Sequence, residues 1–433
     1  MTTDAPDFHF RSIALPALLP SLLFAIGEGA IIPIIPAVAS NLGAGLAAAG
    51  FIAAMIMVGN LIGDIPSGVI VSRVGEKNAM IGAAVVSVIG VLLCIITPSP
   101  WVLGAGIFLL GVSAATFALA RHAFMTTFVP LTYRARALST LGGTFRAGWF
   151  VGPFIAAGLI ALTGSVQVVF WVQIIMAVAV IVILIFMKDP RANWAMDAAD
   201  TPKPAASATE PASEPAPITA GAKFVNDEAV GLFRTIWAFR GVLIRIGSGV
   251  AVVSALRASR TVILPLWAVS IGVNEIDTAL IIGIGGAMDF ALFYASGQIM
   301  DRFGRLFSVI PSMLGLGTGL LVLSVTHDLP SAVIWFVAMT VFTGIANGLG
   351  SGILMTLGAD LAPQGNPAPF LGAFRFTGDF GTAAAPLALA AIVAVASLPL
   401  ATAIIGALGF VGAGILVRYV PRYVPKRPGQ RSA

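Results

Sequence analysis

The segment GVIVSRVGEK at residues 68–77 recurs in altered form as GQIMDRFGRL at residues 297–306, 229 positions further along the chain. Each copy follows a long apolar run, and each combines glycine with basic residues before the next apolar run begins. A turn of this kind, repeated at such a distance, indicates that the chain contains two related halves.

Other short matches occur at nearly the same offset and in the same order, which chance would rarely produce. They are GTFRAGWFVG (143–152) with GAFRFTGDFG (372–381), EGAIIP (28–33) with RTVILP (260–265), and Gly111 and Pro130 with Gly344 and Pro363. Parallel repeats in membrane proteins are related by an axis along the membrane normal. We therefore expect two pseudo-symmetric bundles with the same number of helices.

The composition is that of a membrane protein. Of the 433 residues, 58% are apolar and 10% are charged, and the mean hydropathy is +0.98. Soluble domains are about 45–50% apolar and about 25% charged, so a soluble enzyme and a disordered chain are excluded. A bilayer core about 30 Å thick is crossed by about 20 helical residues. Apolar runs predict an all-α membrane protein with twelve transmembrane helices in two six-helix bundles, near residues 12–38, 46–72, 78–97, 101–128, 136–163, 166–187, 241–270, 277–300, 306–326, 331–358, 367–394 and 397–417.

A polar interruption between the sixth and seventh crossings defines the domains. Residues 190–222 are rich in Ala, Pro, Ser, Thr and Glu, a composition that cannot bury enough apolar surface to fold. Residues 223–240 mix apolar and charged positions and are typical of an amphipathic interfacial helix, or of an irregular continuation of the linker. We assign residues 1–189 to the first bundle, 190–240 to a cytoplasmic linker, and 241–433 to the second bundle and its basic tail.

Basic residues are confined to alternate loops. The loops near 39–45, 98–100, 164–165, 271–276, 327–330 and 395–396 contain no Lys or Arg. The opposite set, with the tail, holds Arg11, Arg73, Lys77, Arg134, Arg136, Lys188, Arg191, Arg302, Arg305, Arg418, Arg422, Lys426, Arg427 and Arg431. Cytoplasmic loops retain positive residues. We therefore predict a multi-pass protein of the inner or plasma membrane with both termini in the cytoplasm.

The repeated turn carries a family resemblance. DRFGR at residues 301–305, with Gly297 before it, resembles the loop motif between the second and third helices of each half in the major facilitator superfamily. The first copy has Ser72 where the family usually has Asp. The resemblance implies a cytoplasmic gate, to which we assign Asp64, Gly68, Arg73, Gly75, Gly297, Asp301, Arg302, Gly304 and Arg305. Asp64 is the candidate that replaces the missing acid at Ser72.

The fifth crossing contains GWFVGPFIAAG at residues 148–158, which partly resembles a signature of the drug:proton antiporter branch of that superfamily. Ala156 and Ala157 stand where the signature has a glycine pair. Gly148 and Gly152 are one turn apart, so they present a flat stripe to a neighbouring helix, and Pro153 permits a bend. A helix-packing motif and a direct part in transport are both open interpretations.

Charged residues within the crossings are expected to face a water-accessible central cavity, because an ionisable group at bilayer depth is costly and usually functional. Glu28, near mid-membrane, is the first candidate for a proton-coupling or substrate-cation site, and Asp289 is the second. Arg260 is the repeat equivalent of Glu28, so the two could form an ion pair between the bundles. The cavity candidates are Glu28, Arg146, Arg257, Arg260, Asp289, Asn347, Arg375 and Asp379.

Each remaining candidate has a functional and a structural interpretation. Arg257 and Arg260 share a helix face and suit an anionic group, or they pair with Asp289 and Glu28. Arg146 has no partner on its own helix, whereas Arg375 has Asp379 one turn on. Arg121 and His122 are expected at the cytoplasmic gate or extending to the interface. Asn347 contacts substrate or forms a helix–helix hydrogen bond.

These observations predict secondary active transport by alternating access, which the superfamily resemblance also implies. The chain has no G-x-x-x-x-G-K-S/T loop for ATP, so we expect an ion gradient, most simply of protons, or the solute's own gradient to supply the energy. We predict proton-coupled export of small organic or amphiphilic compounds. Proton-coupled uptake of an organic anion and the flipping of lipids are alternatives. A single Cys and three dispersed His residues argue against a metal site or a membrane-embedded enzyme, and we expect no cofactor, no nucleic-acid partner and a monomer in the bilayer.

Overall fold

The computed structural model describes residues 17–129, 131–187, 237, 239–362 and 368–423. The predicted linker, almost all of the predicted amphipathic helix, the first residues of the first crossing and the end of the basic tail lie outside the described residues. The regular structure of the described part is helical, and twelve of its helices are long and apolar enough to cross a membrane. The predicted all-α fold with twelve crossings is confirmed.

The observed helices agree with the predicted spans to within a few residues at most ends. They are α1 (Leu19–Asn41), α2 (Leu46–Val74), α3 (Glu76–Ile95), α4 (Pro100–Phe128), α5 (Leu131–Thr163), α6 (Val168–Phe186), α7 (Arg240–Ser270), α8 (Glu275–Arg302), α9 (Leu306–Thr326), α10 (Ala332–Leu361), α11 (Ala368–Val395) and α12 (Leu398–Tyr423).

Three helices depart from regular α geometry. In α1, a 3-10 turn at Ile32–Ile34 surrounds Pro33, which has no N–H to donate to the preceding turn. Near its start, α7 has a π-helical turn at Leu243–Gly247. Helix α10 is interrupted between Leu349 and Ile353, where Gly352 adopts a φ of 77°, a conformation that glycine adopts at little cost.

Helix packing repeats between the two halves. In the first half, α1 contacts α5 and α6, α2 contacts α4, and α3 contacts α4 and α6. In the second half, α7 contacts α11 and α12, α8 contacts α10, and α9 contacts α10 and α12. Each contact in one set has its equivalent in the other, so the duplication predicted from the sequence is also a duplication of packing.

Matched glycines make close helix crossings in both halves. A Cβ on Gly111 of α4 would overlap the carbonyl oxygen of Ile56 on α2, and a Cβ on Gly344 of α10 would overlap that of Gly285 on α8. Small residues let helix backbones approach closely in membranes. Backbone contact therefore explains the glycine at these two equivalent positions.

The main contacts between the two halves are those of α5 with α8 and of α2 with α11. The later part of α1 also contacts α7 and α8, and α2 contacts α7. Between α5 and α8, the rings of Phe150 and Phe290 are stacked with centroids 6.0 Å apart. Between α2 and α11, Asp64 lies 3.8 Å from Arg375. This interface holds several of the charged residues that the sequence analysis singled out.

Candidate functional site

Glu28 lies on α1 inside the first half, where its residue surface is only 6% exposed. The indole Nε1 of Trp149, on α5, donates a hydrogen bond of 3.1 Å to its Oε2. Trp149 is held there because its neighbour Gly148 lies against α1, where an added Cβ would be 2.6 Å from that of Ala25. The glycine stripe of α5 thus positions the donor that binds this acid.

Arg121 lies close to Glu28. It comes from α4, is 6% exposed, interacts electrostatically with Glu28 and stacks over the ring of Phe145 at 4.2 Å. Its Nε and Nη1 have no hydrogen-bond partner among the described residues. The expectation that Arg121 extends to the membrane interface is wrong, because it turns inward toward Phe145 and Glu28. His122 is half-buried, with Nδ1 2.7 Å from the carbonyl of Ala118.

The predicted ion pair between Glu28 and Arg260 is not formed. Arg260 instead donates from Nε to Thr343 Oγ1 of α10 at 3.0 Å, while Glu28 is bound by Trp149. Helix α1 contacts α7 through its later part, from the 3-10 turn onward, and Glu28 precedes that turn. Equivalent positions in a repeat need not touch, which is the reason for this error.

Asp289 joins three helices. Arg146 of α5 donates from Nη1 to its Oδ1 at 2.9 Å, and Asn347 of α10 donates from Nδ2 to its Oδ2 at 2.8 Å. Arg146 therefore has a partner on α8 in the opposite half, and Asn347 makes the helix–helix hydrogen bond considered above. Both side chains of the ion pair are only partly exposed, 27% for Arg146 and 19% for Asp289.

Arg257 and Arg260 of α7 belong to the same half as Asp289 but do not form ion pairs with it. Arg257 donates from Nη2 to the carbonyl of Gly350 at 2.6 Å, in the interruption of α10. Within the described part of the chain, neither arginine lies within 4 Å of a carboxylate. The alternative in which Asp289 and Glu28 neutralise them is therefore not observed.

Arg375 connects the halves near the predicted cytoplasmic face. Its Nη2 is 3.8 Å from Asp64 of α2, and its Nε donates to Asp379, one turn on, at 3.3 Å. Asp64 therefore contacts the opposite half. A residue that replaces the acid missing at Ser72 would have to make such a contact. Ser72 itself hydrogen-bonds the carbonyl of Val69. A gating role for this cluster stays a prediction.

The two copies of the repeated turn share a backbone feature. Gly75 and Gly304 occupy equivalent positions and have positive φ values of 80° and 102°. A Cβ on Gly68 or Gly297 would meet nothing within 4 Å. Arg73 is exposed, so the first copy presents its cation outward.

The second copy has an arginine, Arg305, at the position of Glu76 in the first copy. Arg305 donates to both carboxylate oxygens of Asp360 in α10, at 2.7 and 3.3 Å, and it also lies 3.5 Å from Asp301. The hydrogen bond to Asp360 raises the pKa of Arg305. Arg302, by contrast, is exposed and stacks over Phe303 at 5.4 Å. Asp360 was not found from the sequence, because nothing in it places α10 beside the turn.

We expect Arg305→Gln to lower the melting temperature of the purified protein in detergent, and Arg302→Gln in the same turn to have little effect. Hydrogen bonds to charged groups contribute about 1.5–3 kcal/mol, and the Arg305 side chain is 11% exposed. Both variants remove one positive charge. Equal melting temperatures for the two would contradict a stabilising role for the Arg305–Asp360 pair.

For the pair Arg146 and Asp289, we expect a positive coupling in a double-mutant cycle. Arg146→Gln and Asp289→Asn should each destabilise the protein, and the double variant should lose less than the sum, by about 0.5–3 kcal/mol. Thermal melting in detergent measures the effect. Additive losses would show that the ion pair does not stabilise the contact between α5 and α8.

Sequence comparison identifies the family. The sequence model of the family described as Major Facilitator Superfamily matches residues 18–386 of this chain. Two uncharacterised MFS-type transporters from strains of Mycobacterium tuberculosis are 25% identical over 174 residues, which is 40% of this chain and 25% of each relative. Myo-inositol transporter 1 of Candida albicans is 26% identical over 109 residues, 25% of this chain and 20% of that protein. The matches thus span about a quarter of the length of the curated relatives or less.

Solved structures show the same fold. A POT family transporter in complex with 5-aminolevulinic acid superposes with a TM-score of 0.73 at 12% identity, over 96% of this chain and 97% of that chain. A D-xylose-proton symporter superposes with a TM-score of 0.70 at 18% identity, over 98% and 100%. Since the family match covers most of the sequence and the twelve helices share this architecture, the chain belongs to the major facilitator superfamily of secondary transporters.

Proposed function

We propose that this secondary transporter couples the export of small organic compounds to protons. The observation that supports it best is the ion pair between Arg146 of α5 and Asp289 of α8, which joins the two halves. A proton on Asp289 would remove the charge that attracts Arg146 and so weaken a contact between the halves. Alternating access in this superfamily is a movement of one half against the other, so proton binding and movement would be linked at this pair.

Glu28 is the proposed proton site of the first half. It is a buried carboxyl on α1, and it accepts a hydrogen bond from the neutral indole of Trp149. Ionisable groups at this depth generally belong to proton relays or substrate paths. Arg121 lies close enough to interact with it electrostatically, so gain or loss of a proton at Glu28 would change the charge balance around Arg121.

The proposed direction is supported by the fifth crossing. The segment GWFVGPFIAAG resembles the antiporter branch, and its Gly148 and Gly152 lie directly against α1, the helix that carries Glu28. Uptake of an organic anion is the second candidate, favoured by the surplus of arginine around Asp289. The two candidates differ in the direction in which a proton gradient drives the solute.

Proteoliposomes containing the full chain and a trapped pH-sensitive dye test this function. An imposed pH gradient should drive accumulation of a compound from a panel of organic anions, cations and neutral amphiphiles, and adding that compound should change the internal pH. Export predicts that solute and proton move in opposite directions, and uptake that they move together. Solute movement without any pH change would refute proton coupling. Protein-free vesicles give the background leak.

A further inference from the structure

The charges around Asp289 do not balance. Three arginines (Arg146, Arg257 and Arg260) interact electrostatically with this single carboxylate. Its two oxygens already accept hydrogen bonds from Arg146 and Asn347. Two positive charges on α7 therefore have no carboxylate within ion-pair distance in the described part of the chain.

Unpaired guanidiniums at this depth are expensive, because a buried charge is stabilised only by a counter-ion and good hydrogen bonds. Arg257 has one bond to the Gly350 carbonyl, and its buried Nε has no partner among the described residues. Arg260 donates from Nε to the Thr343 hydroxyl. Both contacts are with neutral oxygens, so neither supplies the missing negative charge.

Arg257 and Arg260 lie on the same face of α7. Residues three apart on a helix lie on one face, and both arginines are only partly buried, so their remaining N–H groups can reach a solute. The amide oxygen of Asn347 is also without a partner in the described residues. Beside Asp289, Phe290 stacks with Phe150 and offers apolar surface at the contact between the halves.

We propose that Arg257 and Arg260 bind an anionic oxygen group of the transported compound, a carboxylate or a phosphate monoester carried on an apolar body. The guanidinium fork matches the oxygens of such groups, and the solute then supplies the counter-charge that the protein lacks. This inference rests on the proposed function and names its substrate class. In this arrangement Asp289 pairs with Arg146, and Arg257 and Arg260 bind the solute.

Equilibrium binding to the purified full chain in nanodiscs tests the site without any gradient. The probes are benzoate, phenyl phosphate and the neutral analogue benzamide, followed by isothermal titration calorimetry. We expect one or both anions to bind and benzamide to bind at least about 10-fold more weakly. Arg257→Gln and Arg260→Gln should each weaken anion binding by about 10- to 100-fold, the range for losing one hydrogen bond to a charged group.

The matched control is Arg418→Gln, since Arg418 is exposed near the end of α12 and the same charge is removed far along the chain from α7. Its affinity should equal that of the wild type. If a glutamine variant does not fold, Arg257→Lys and Arg260→Lys take its place, since they keep the positive charge and lose the guanidinium fork. These variants should weaken the binding of phenyl phosphate or benzoate less than about 10-fold. They should still bind benzamide more weakly than the anions.

Three results would overturn the anion site: no binding of either anion, equal binding of benzamide, or wild-type affinity in both glutamine variants. The outcome is separable from proton coupling. If neither anion binds but a cation or neutral compound still moves protons in proteoliposomes, the anion site is refuted and the proposed coupling stands. If an anion binds and is transported without protons, the anion site stands and the proposed proton coupling is refuted. Stronger binding of benzoate or of phenyl phosphate shows which oxyanion the site prefers.

Discussion

Gly152→Ala is expected to prevent most of the protein molecules from folding stably. A Cβ at this position would lie 2.5 Å from the backbone nitrogen of Ala30 and 2.5 Å from the carbonyl oxygen of Ile26. Both atoms belong to the backbone of α1, so no flexible side chain can move aside. Forcing extra volume into a close-packed contact costs about 1–3 kcal/mol and occasionally more. The shift would also displace Trp149 from Glu28.

Gly158→Ala is the matched control, since it lies on the same helix and a Cβ there meets nothing within 4 Å. Alanine is favoured over glycine in a helix by about 1 kcal/mol, so this variant should be as stable as the wild type or more stable. Fluorescence-detected size exclusion and thermal melting in detergent measure both. Gly381→Ala, the equivalent change in α11 against Ala251, should behave like Gly152→Ala. Normal yields from both would show that the crossings tolerate separation.

The second large effect is expected for Glu28→Gln, which should weaken the pH dependence of transport and slow gradient-driven accumulation about 100-fold or more, the contribution typical of a positioned proton-transfer group. Glutamine has the same shape and its amide oxygen can still accept from Trp149, but it cannot bind or release a proton. The rate of solute movement in proteoliposomes is measured at a series of external pH values. Exchange of solute without a gradient should persist.

Trp149→Phe provides the comparison for Glu28→Gln. It removes the hydrogen bond to Glu28 but leaves the titratable carboxyl, so transport should stay pH-dependent with an altered profile. Asp289→Asn tests the second acid in the same assay. An unchanged pH dependence in Glu28→Gln, together with its loss in Asp289→Asn, would assign the proton to the second half and contradict the role proposed for Glu28.

The crossings and the duplication were predictable because they depend on local properties. Hydropathy over about 20 residues determines which segments can span a bilayer, and the paired turns at 68–77 and 297–306 mark equivalent positions. Gly75 and Gly304 both have a positive φ, so the glycine of the repeated turn adopts a similar backbone conformation in both halves. Close packing of Gly148 and Gly152 was likewise expected, since a stripe of small residues needs only a neighbouring helix.

Partners within the site could not be predicted, because they depend on how the helices are rotated and placed. Arg146 and Asp289 are separated by 143 residues, and no sequence pattern links them. Repeat symmetry suggested that Glu28 meets Arg260, but symmetry relates equivalent positions without bringing them into contact. The position of Arg121 along α4 does not show which way its side chain turns, because its inward position depends on Phe145 of another helix.

The interruption of α10 has a mechanical consequence. Its first-half counterpart α4 runs unbroken from Pro100 to Phe128, whereas α10 consists of Ala332–Leu349 and a short second piece, Ile353–Leu361. The short piece carries Asp360, which binds Arg305. The turn that contains Arg305 is therefore tied to the part of α10 that follows the break at Gly352. A helix with interrupted hydrogen bonds bends more easily, so we expect α10 to bend at its break, which has no counterpart in α4 between Pro100 and Phe128.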